Sequence, residues 1–134
     1  MTLAAGPGYG LPRTSRVLSA REFRRIYAQG LRARGRLLTV VARPRRDASH
    51  RLGLSVSKDH GPAVRRNKIK RILRDAFRLE RPGLPGRFDL VLIPVVREAK
   101  LVLAEVRQEL TVLVAKLARQ ATSWRPRARP EPAP

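Results

Sequence analysis

Segment 62–78, PAVRRNKIKRILRDAFR, constrains this chain more than any other stretch. At ~100° per residue, Ile69, Ile72, Leu73, Ala76 and Phe77 fall on one arc of a helix, and Asn67, Lys70, Arg71, Arg74 and Arg78 fall on the other. The apolar arc has to be buried against a second layer. The basic arc has only Asp75 to neutralise it: seven of the seventeen residues are Lys or Arg and one is acidic. A run of mixed charge would read as a solvated face. Here the like charges at i, i+4, Lys70 with Arg74 and Arg74 with Arg78, cost an isolated helix roughly 0.2–0.5 kcal/mol each. A one-signed face kept at that cost points to an external anion, phosphate above all. Pro62 after Gly61 suits a first helical position. Arg65 and Arg66 lie close to the apolar arc and belong in the first turn, where a side chain can swing away from the core.

The flanks of this helix read as strands. Segment 51–58 alternates, with Leu52, Leu54 and Val56 toward a core and Gly53, Ser55 and Ser57 forming a flat polar face. That face is either solvated or left bare so that something can lie against it. Segment 88–95 is apolar apart from Asp89, as in a central strand covered on both sides. Strand, helix, strand makes a crossover unit. Such units are right-handed in about 98% of cases, and the pattern itself does not show the hand.

Upstream, 19–30 carries helix punctuation. Ser19 and Glu22 have the spacing of a capping box, Leu18 and Phe23 that of a hydrophobic staple, and Gly30 that of a left-handed stop. Phe23, Ile26 and Tyr27 share one face. They are either the buried stripe of the helix or, for the two aromatics, the lining of a groove where single-stranded bases stack among basic residues. A short strand over 31–35 and a longer one over 36–43, ended by Pro44, follow. The last helix spans 99–120 with an apolar stripe of Ala99, Val102, Leu103, Val106, Leu110, Leu113 and Leu117. Glu105 and Glu109 read as its solvent-facing side. The layout is a Gly/Pro-rich arm over 1–15, one domain over 16–121, and a Pro/Arg-rich tail over 122–134 expected to be disordered.

The whole chain of 134 residues has a formal charge of +20, which favours a polyanionic partner, nucleic acid ahead of a membrane surface. No apolar run approaches the ~18 residues that span a bilayer. The N-terminal segment lacks the basic and apolar regions of a secretory signal. The absence of cysteine excludes disulfides and thiolate metal sites and fits a reducing compartment, the cytoplasm. Catalytic constellations are missing. The ten acidic residues are scattered without a DxD or ExxE pair, His50 and His60 have no carboxylate placed to orient them, and Ser55 and Ser57 have no adjacent base. We expect no catalytic residue, no metal site and no cofactor held by the protein itself.

The stretch LGLSVSKDHGPAVRRNKIKRILRDAF is similar to the bacterial ribonuclease P protein subunit. It supplies Gly53-Leu54-Ser55-Val56-Ser57-Lys58, then Ala63, then Arg66-Asn67-Lys68-Ile69-Lys70-Arg71 and Arg74; Phe23, Tyr27 and Gly30 match the family's early helix. The similarity runs over about 16–119. It implies an α+β fold, an α-β-β-β-α-β-α two-layer sandwich of the kind named for the second domain of a small-subunit ribosomal protein. Its small mixed sheet is packed by helices, with a left-handed β-α-β crossover through the basic helix. It implies the catalytic RNA of ribonuclease P and precursor tRNA as partners, with neither a membrane nor a second protein required, and Mg²⁺ used by the RNA-containing holoenzyme to remove the 5′ leader. The RNA-facing residues it implies are Arg66, Asn67, Lys68, Lys70, Arg71 and Arg74, with Arg65 beside them. Phe23, Tyr27, Thr39 and Val41 correspond to the leader groove, bordered by Ser55, Ser57 and Lys58. Three positions depart from the family pattern: Val41 in place of a frequent aromatic, Asp59 in place of a basic residue, and Lys68 in place of an Arg, which loses a planar fork. The rival readings are a ribosomal or ribosome-assembly RNA-binding protein and a protein-only nuclease.

Overall fold

The computed structural model describes residues 16–17, 19–46, 50–95 and 101–124. The arm over 1–15, Leu18 of the expected staple, Ala99 of the expected stripe and the tail beyond Trp124 lie outside them. The described elements are α1 (Ala20–Gln29), β1 (Leu31–Arg34), β2 (Leu38–Pro44), β3 (Arg51–Leu54), α2 (Ala63–Glu80), β4 (Phe88–Pro94) and α3 (Leu103–Gln120). The four strands form one mixed sheet in the order β1-β2-β4-β3. β2 is antiparallel to β1 and to β4, and β3 runs parallel to β4. The β3–α2–β4 segment is therefore the expected crossover between adjacent parallel strands. Arg16 and Val17 extend the β3 edge: a parallel bridge pairs Arg16 with Leu52, and Val17 N–H donates to Leu52 O at 2.9 Å.

Side-chain alternation sorts the sheet into two faces. Leu38, Val40, Ala42, Leu52, Leu90 and Leu92 pack against the apolar arcs of α2 and α3, where Leu73, Ala76, Phe77, Val106, Leu110, Val114 and Leu117 are buried. This is the main core. On the opposite face Val41 and Val91 are covered by α1 through Ile26, with Phe23, Tyr27 and Ile93 packed around them. The sandwich of sheet on α2 and α3 thus carries α1 as a partial further layer.

Several local expectations change in detail. The capping box is present: Glu22 N–H donates to Ser19 Oγ at 3.1 Å and Ser19 N–H to Glu22 Oε1 at 3.3 Å. Gly30, however, is extended (φ −81°) and supplies no left-handed stop. A Cβ there would stand 2.6 Å from Ile26 O and 3.0 Å from Ala42 O, so glycine is required by the close approach of α1 to β2. Pro62 caps α2 from outside its first turn, and the helix continues two residues past Arg78 to Glu80. Glu109 does not face solvent. Its carboxylate accepts the backbone N–H groups of Arg36, Leu37 and Leu38 at 3.0, 2.7 and 2.7 Å, in space left free by Gly35. The β1–β2 turn is thereby anchored to α3. Nor is the chain after Gln120 wholly tail: 121–123 makes a 3₁₀ turn, and Trp124 Nε1–H donates to Gln29 O at 2.8 Å.

Candidate nucleic-acid interface

α2 is held by Ile69, Leu73, Ala76 and Phe77, all buried, so its remaining circumference is fixed outward. Asn67, Lys68, Arg71 and Arg74 are exposed, and Lys70 is half-buried beside them. Among the described residues no carboxylate lies within 4 Å of Lys68, Lys70, Arg71 or Arg74; Asp75 is turned to Arg78 at 3.8 Å. The ridge is therefore uncompensated along its middle two turns. Arg65 and Arg66 are half-buried in the first turn, and Arg66 Nε–H donates to Gly61 O at 3.1 Å. That bond ties the ridge to the turn that precedes it. Gly61 has φ 114°, a backbone region closed to most L side chains.

On the other face α1 covers only part of the sheet, and the part left open beside it is the candidate groove. Phe23 and Tyr27 are half-buried, with ring centroids 6.4 Å apart. Phe23 lies on Gly53, where a Cβ would come within 2.8 Å of the ring. The bare strand face anticipated at Gly53 is thus filled by the protein's own aromatic. Phe23 and Tyr27 pack over Val41 and Val91 as a buried stripe does, and each keeps an accessible part. Val41 does not line the groove. It is wholly buried under α1, so no ligand atom can reach it. One register step further, Thr39 pairs with Ile93, and Ser55 N–H donates to Leu92 O at 3.1 Å, which sets Thr39, Ile93 and Ser55 in a half-buried row beyond the α1 contact. Ser57 and Lys58 are exposed in the connection that leads from this row to α2. The groove and the ridge thus lie on opposite faces of the sheet, joined by 55–61.

Sequence reasoning missed three contributors. Arg32 stands over the Tyr27 ring, its guanidinium carbon 5.7 Å from the centroid. The alternation of 31–34, apolar then basic, was its signal. Arg43 donates through Nε to Gln29 Oε1 at 2.9 Å and lies 6.0 Å from the Trp124 ring. Desolvation, with Arg25 nearby, holds its pKa below the ordinary guanidinium value. Arg51 binds Asp89 and Glu22 and has its pKa raised, chiefly by the Asp89 hydrogen bond. This network joins the α1 cap to β3 and β4 and keeps the groove wall in place.

The model of the Ribonuclease P family matches residues 11–118. The chain belongs to the ribonuclease P protein family. Members of this family are the protein subunits of ribonuclease P, the endoribonuclease of tRNA 5′ processing, and work with ribonuclease P RNA. The chain is 45% identical over 89 residues to the ribonuclease P protein component of Methylococcus capsulatus, covering 66% of this chain and 69% of that protein. It is 37% identical over 111 residues to the component of Desulforapulum autotrophicum, covering 83% and 95%. The ribonuclease P protein of Thermotoga maritima superposes with a TM-score of 0.66 at 30% identity, over 78% of this chain and 96% of that one. That of Staphylococcus aureus does so at 0.63 and 27%, over 83% and 98%. No described helix is long and apolar enough to cross a membrane.

Proposed function

We propose that this ribonuclease P protein holds two RNA elements on two surfaces. The α2 ridge of Lys68, Lys70, Arg71 and Arg74, with Arg65, Arg66 and Asn67 at its start, binds ribonuclease P RNA. The groove of Phe23, Tyr27, Thr39 and Ser55, continued by Ser57 and Lys58, takes the single-stranded 5′ leader of precursor tRNA, and the RNA subunit with Mg²⁺ cuts the chain. The observation that carries this reading is the uncompensated ridge set across the sheet from half-exposed aromatics. Phosphate contact gives affinity without sequence demand, and stacking tolerates any base.

The carboxylates support a purely binding role. Asp89 and Glu22 are spent on Arg51, Glu109 on backbone N–H groups, Glu80 on Arg107, Asp75 on Arg78, and Glu105 on Arg36. Each of these six has a partner within the fold, which supports a reading in which cleavage chemistry and its metal fall to the RNA. The test is reconstitution. The protein added to a bacterial ribonuclease P RNA at low Mg²⁺ restores leader removal, and the protein alone cuts nothing. Cleavage by the protein alone, or no gain with the RNA, refutes the assignment; the latter outcome is what a ribosome-assembly protein would give.

A further inference from the structure

β1 is an edge strand whose two faces differ completely. Leu31 and Ala33 pack on the main core, whereas Arg32 and Arg34 are exposed on the α1 side. The register sets Arg32 opposite Val41 and Arg34 opposite Thr39. Arg34 therefore ends the row that runs through Thr39 and Ile93 to Ser55. Arg32 is held against Tyr27 by a cation–π contact of 5.7 Å, the last aromatic of the groove. Among the described residues neither arginine has a carboxylate within 4 Å. Their Cα atoms are two strand residues apart, on the order of 6.8 Å, comparable with consecutive phosphates of an extended single strand.

We propose that the outer face of β1 is a phosphate track, in which Arg32 and Arg34 hold the backbone of single-stranded RNA after its bases leave Phe23 and Tyr27. The inference rests on the groove reading above and extends it by direction: the strand runs off over the β1 edge, away from the β3 edge. Arg32 is already ordered on Tyr27, so it gives up little side-chain freedom on binding. A base stacked on Tyr27 brings its own phosphate beside that guanidinium. Arg34 takes the next. The surface then reads leader length, because only a leader that extends beyond the aromatic pair reaches it.

The test compares holoenzymes carrying the wild-type protein, the double variant Arg32→Gln/Arg34→Gln, and Phe23→Leu, each binding precursor tRNA with a short leader, precursor tRNA with a long leader, and mature tRNA. The double variant should lose affinity for the long leader alone, and its log–log salt slope should fall by about 1.4, from roughly 0.7 per single-strand phosphate contact. Short-leader and mature tRNA should bind as before. Equal loss on all three RNAs, or none, overturns the track. If Phe23→Leu weakens precursor tRNA but not mature tRNA while the loss in the double variant does not depend on leader length, the track fails and the groove stands. If neither variant depends on the leader, both readings fall.

Discussion

Arg51 and Asp89 sit opposite each other on the parallel pair β3 and β4, joined by a two-bonded fork: Arg51 Nε–H to Asp89 Oδ1 at 2.7 Å and Nη2–H to Oδ2 at 3.1 Å. Asp89 is 5% exposed. The same guanidinium reaches Glu22 at 3.0 Å through Nη1, and Glu22 is the acid of the α1 capping box. One arginine thus couples the start of α1 to the strand pair that brackets α2. Geometry of this kind is specific to arginine.

Removing one partner strands the other. Arg51→Ala should strip the buried Asp89 of its forked partner and leave it the longer contact to Arg45 at 3.6 Å, with Arg43 nearby. We expect a loss of about 3 kcal/mol, the low end for a broken buried pair because the arginine is partly solvated. Thermal unfolding would show it as a drop on the order of 10 °C. Arg51→Lys should recover less than half, since a lysine cannot fork. Full recovery by lysine would show that charge alone, without geometry, holds the strands.

Glu109 makes a second long-range anchor. Replacing it by Gln puts an NH₂ group against three backbone N–H donors that now share one acceptor, a cost of about 2 kcal/mol. Hydrogen exchange of the Arg36, Leu37 and Leu38 amides reads this directly, and their protection should collapse before that of β4. Gly35→Ala should act on the same contact, because its Cβ would fall 2.5 Å from Glu109 Cδ. The two changes combined should therefore cost less than their sum.

These anchors show which parts of the molecule could be read from the chain. The α1 cap, the alternating β3 and the two-faced α2 depend on neighbours within four residues, so spacing reveals them. Glu109 meets amides 71 to 73 residues away. Its position on a helix face looks solvent-directed until α3 is laid beside β1 and β2. Gly30 shows the same limit: its place after a helix suggests a left-handed turn, while the actual demand comes from β2. At the candidate groove the shared face of Phe23 and Tyr27 was legible and the burial of Val41 was not. Alternation assigns Val41 to the side of Thr39, yet only packing under α1 removes it from reach. Trp124 lies among Pro- and Arg-rich residues and reads as tail, although its indole closes onto Gln29.

His50 gives the fold a pH dependence. Nδ1 accepts the Phe88 N–H at 3.1 Å, and Nε2 lies 3.3 Å from Leu84 O, which fits a neutral ring protonated at Nε2. Burial is the main cause that lowers its pKa from 6.5. The unfolded chain then binds the proton more readily than the folded one. Stability is complete above the unfolded value, about 6.5, and is lost as pH falls from there toward the folded pKa. Urea midpoints at pH values on either side of that window should decline on the acid side, and His50→Gln should flatten the slope over it. An unchanged slope in the variant would assign the dependence elsewhere.

On the ridge, Arg71→Gln and Arg74→Gln should each weaken assembly with ribonuclease P RNA and lower the salt slope by about 1 per lost phosphate contact. Both side chains are exposed, and among the described residues no carboxylate lies within 4 Å of either, so the change in stability should stay within the range of a surface change, about 0.5 kcal/mol. Filter binding across a salt series separates the two quantities. A fall in stability with an unaltered slope would mean that these arginines serve the fold and touch no RNA.

Phe23 is the residue whose two duties are hardest to separate, and its seat on Gly53 supplies the means. Phe23→Ala empties the space over Gly53 and should cost about 3 kcal/mol through lost packing, which confuses binding with folding. Phe23→Leu keeps most of that volume and should cost roughly 1 kcal/mol. It removes the aromatic face and with it a stacking contact worth ~1–3 kcal/mol per base. The holoenzyme with Phe23→Leu should therefore bind precursor tRNA roughly tenfold more weakly, as ~1.4 kcal/mol implies, with mature tRNA unaffected. Equal weakening of both RNAs would return Phe23 to the core as a packing residue and leave Tyr27 as the groove's aromatic.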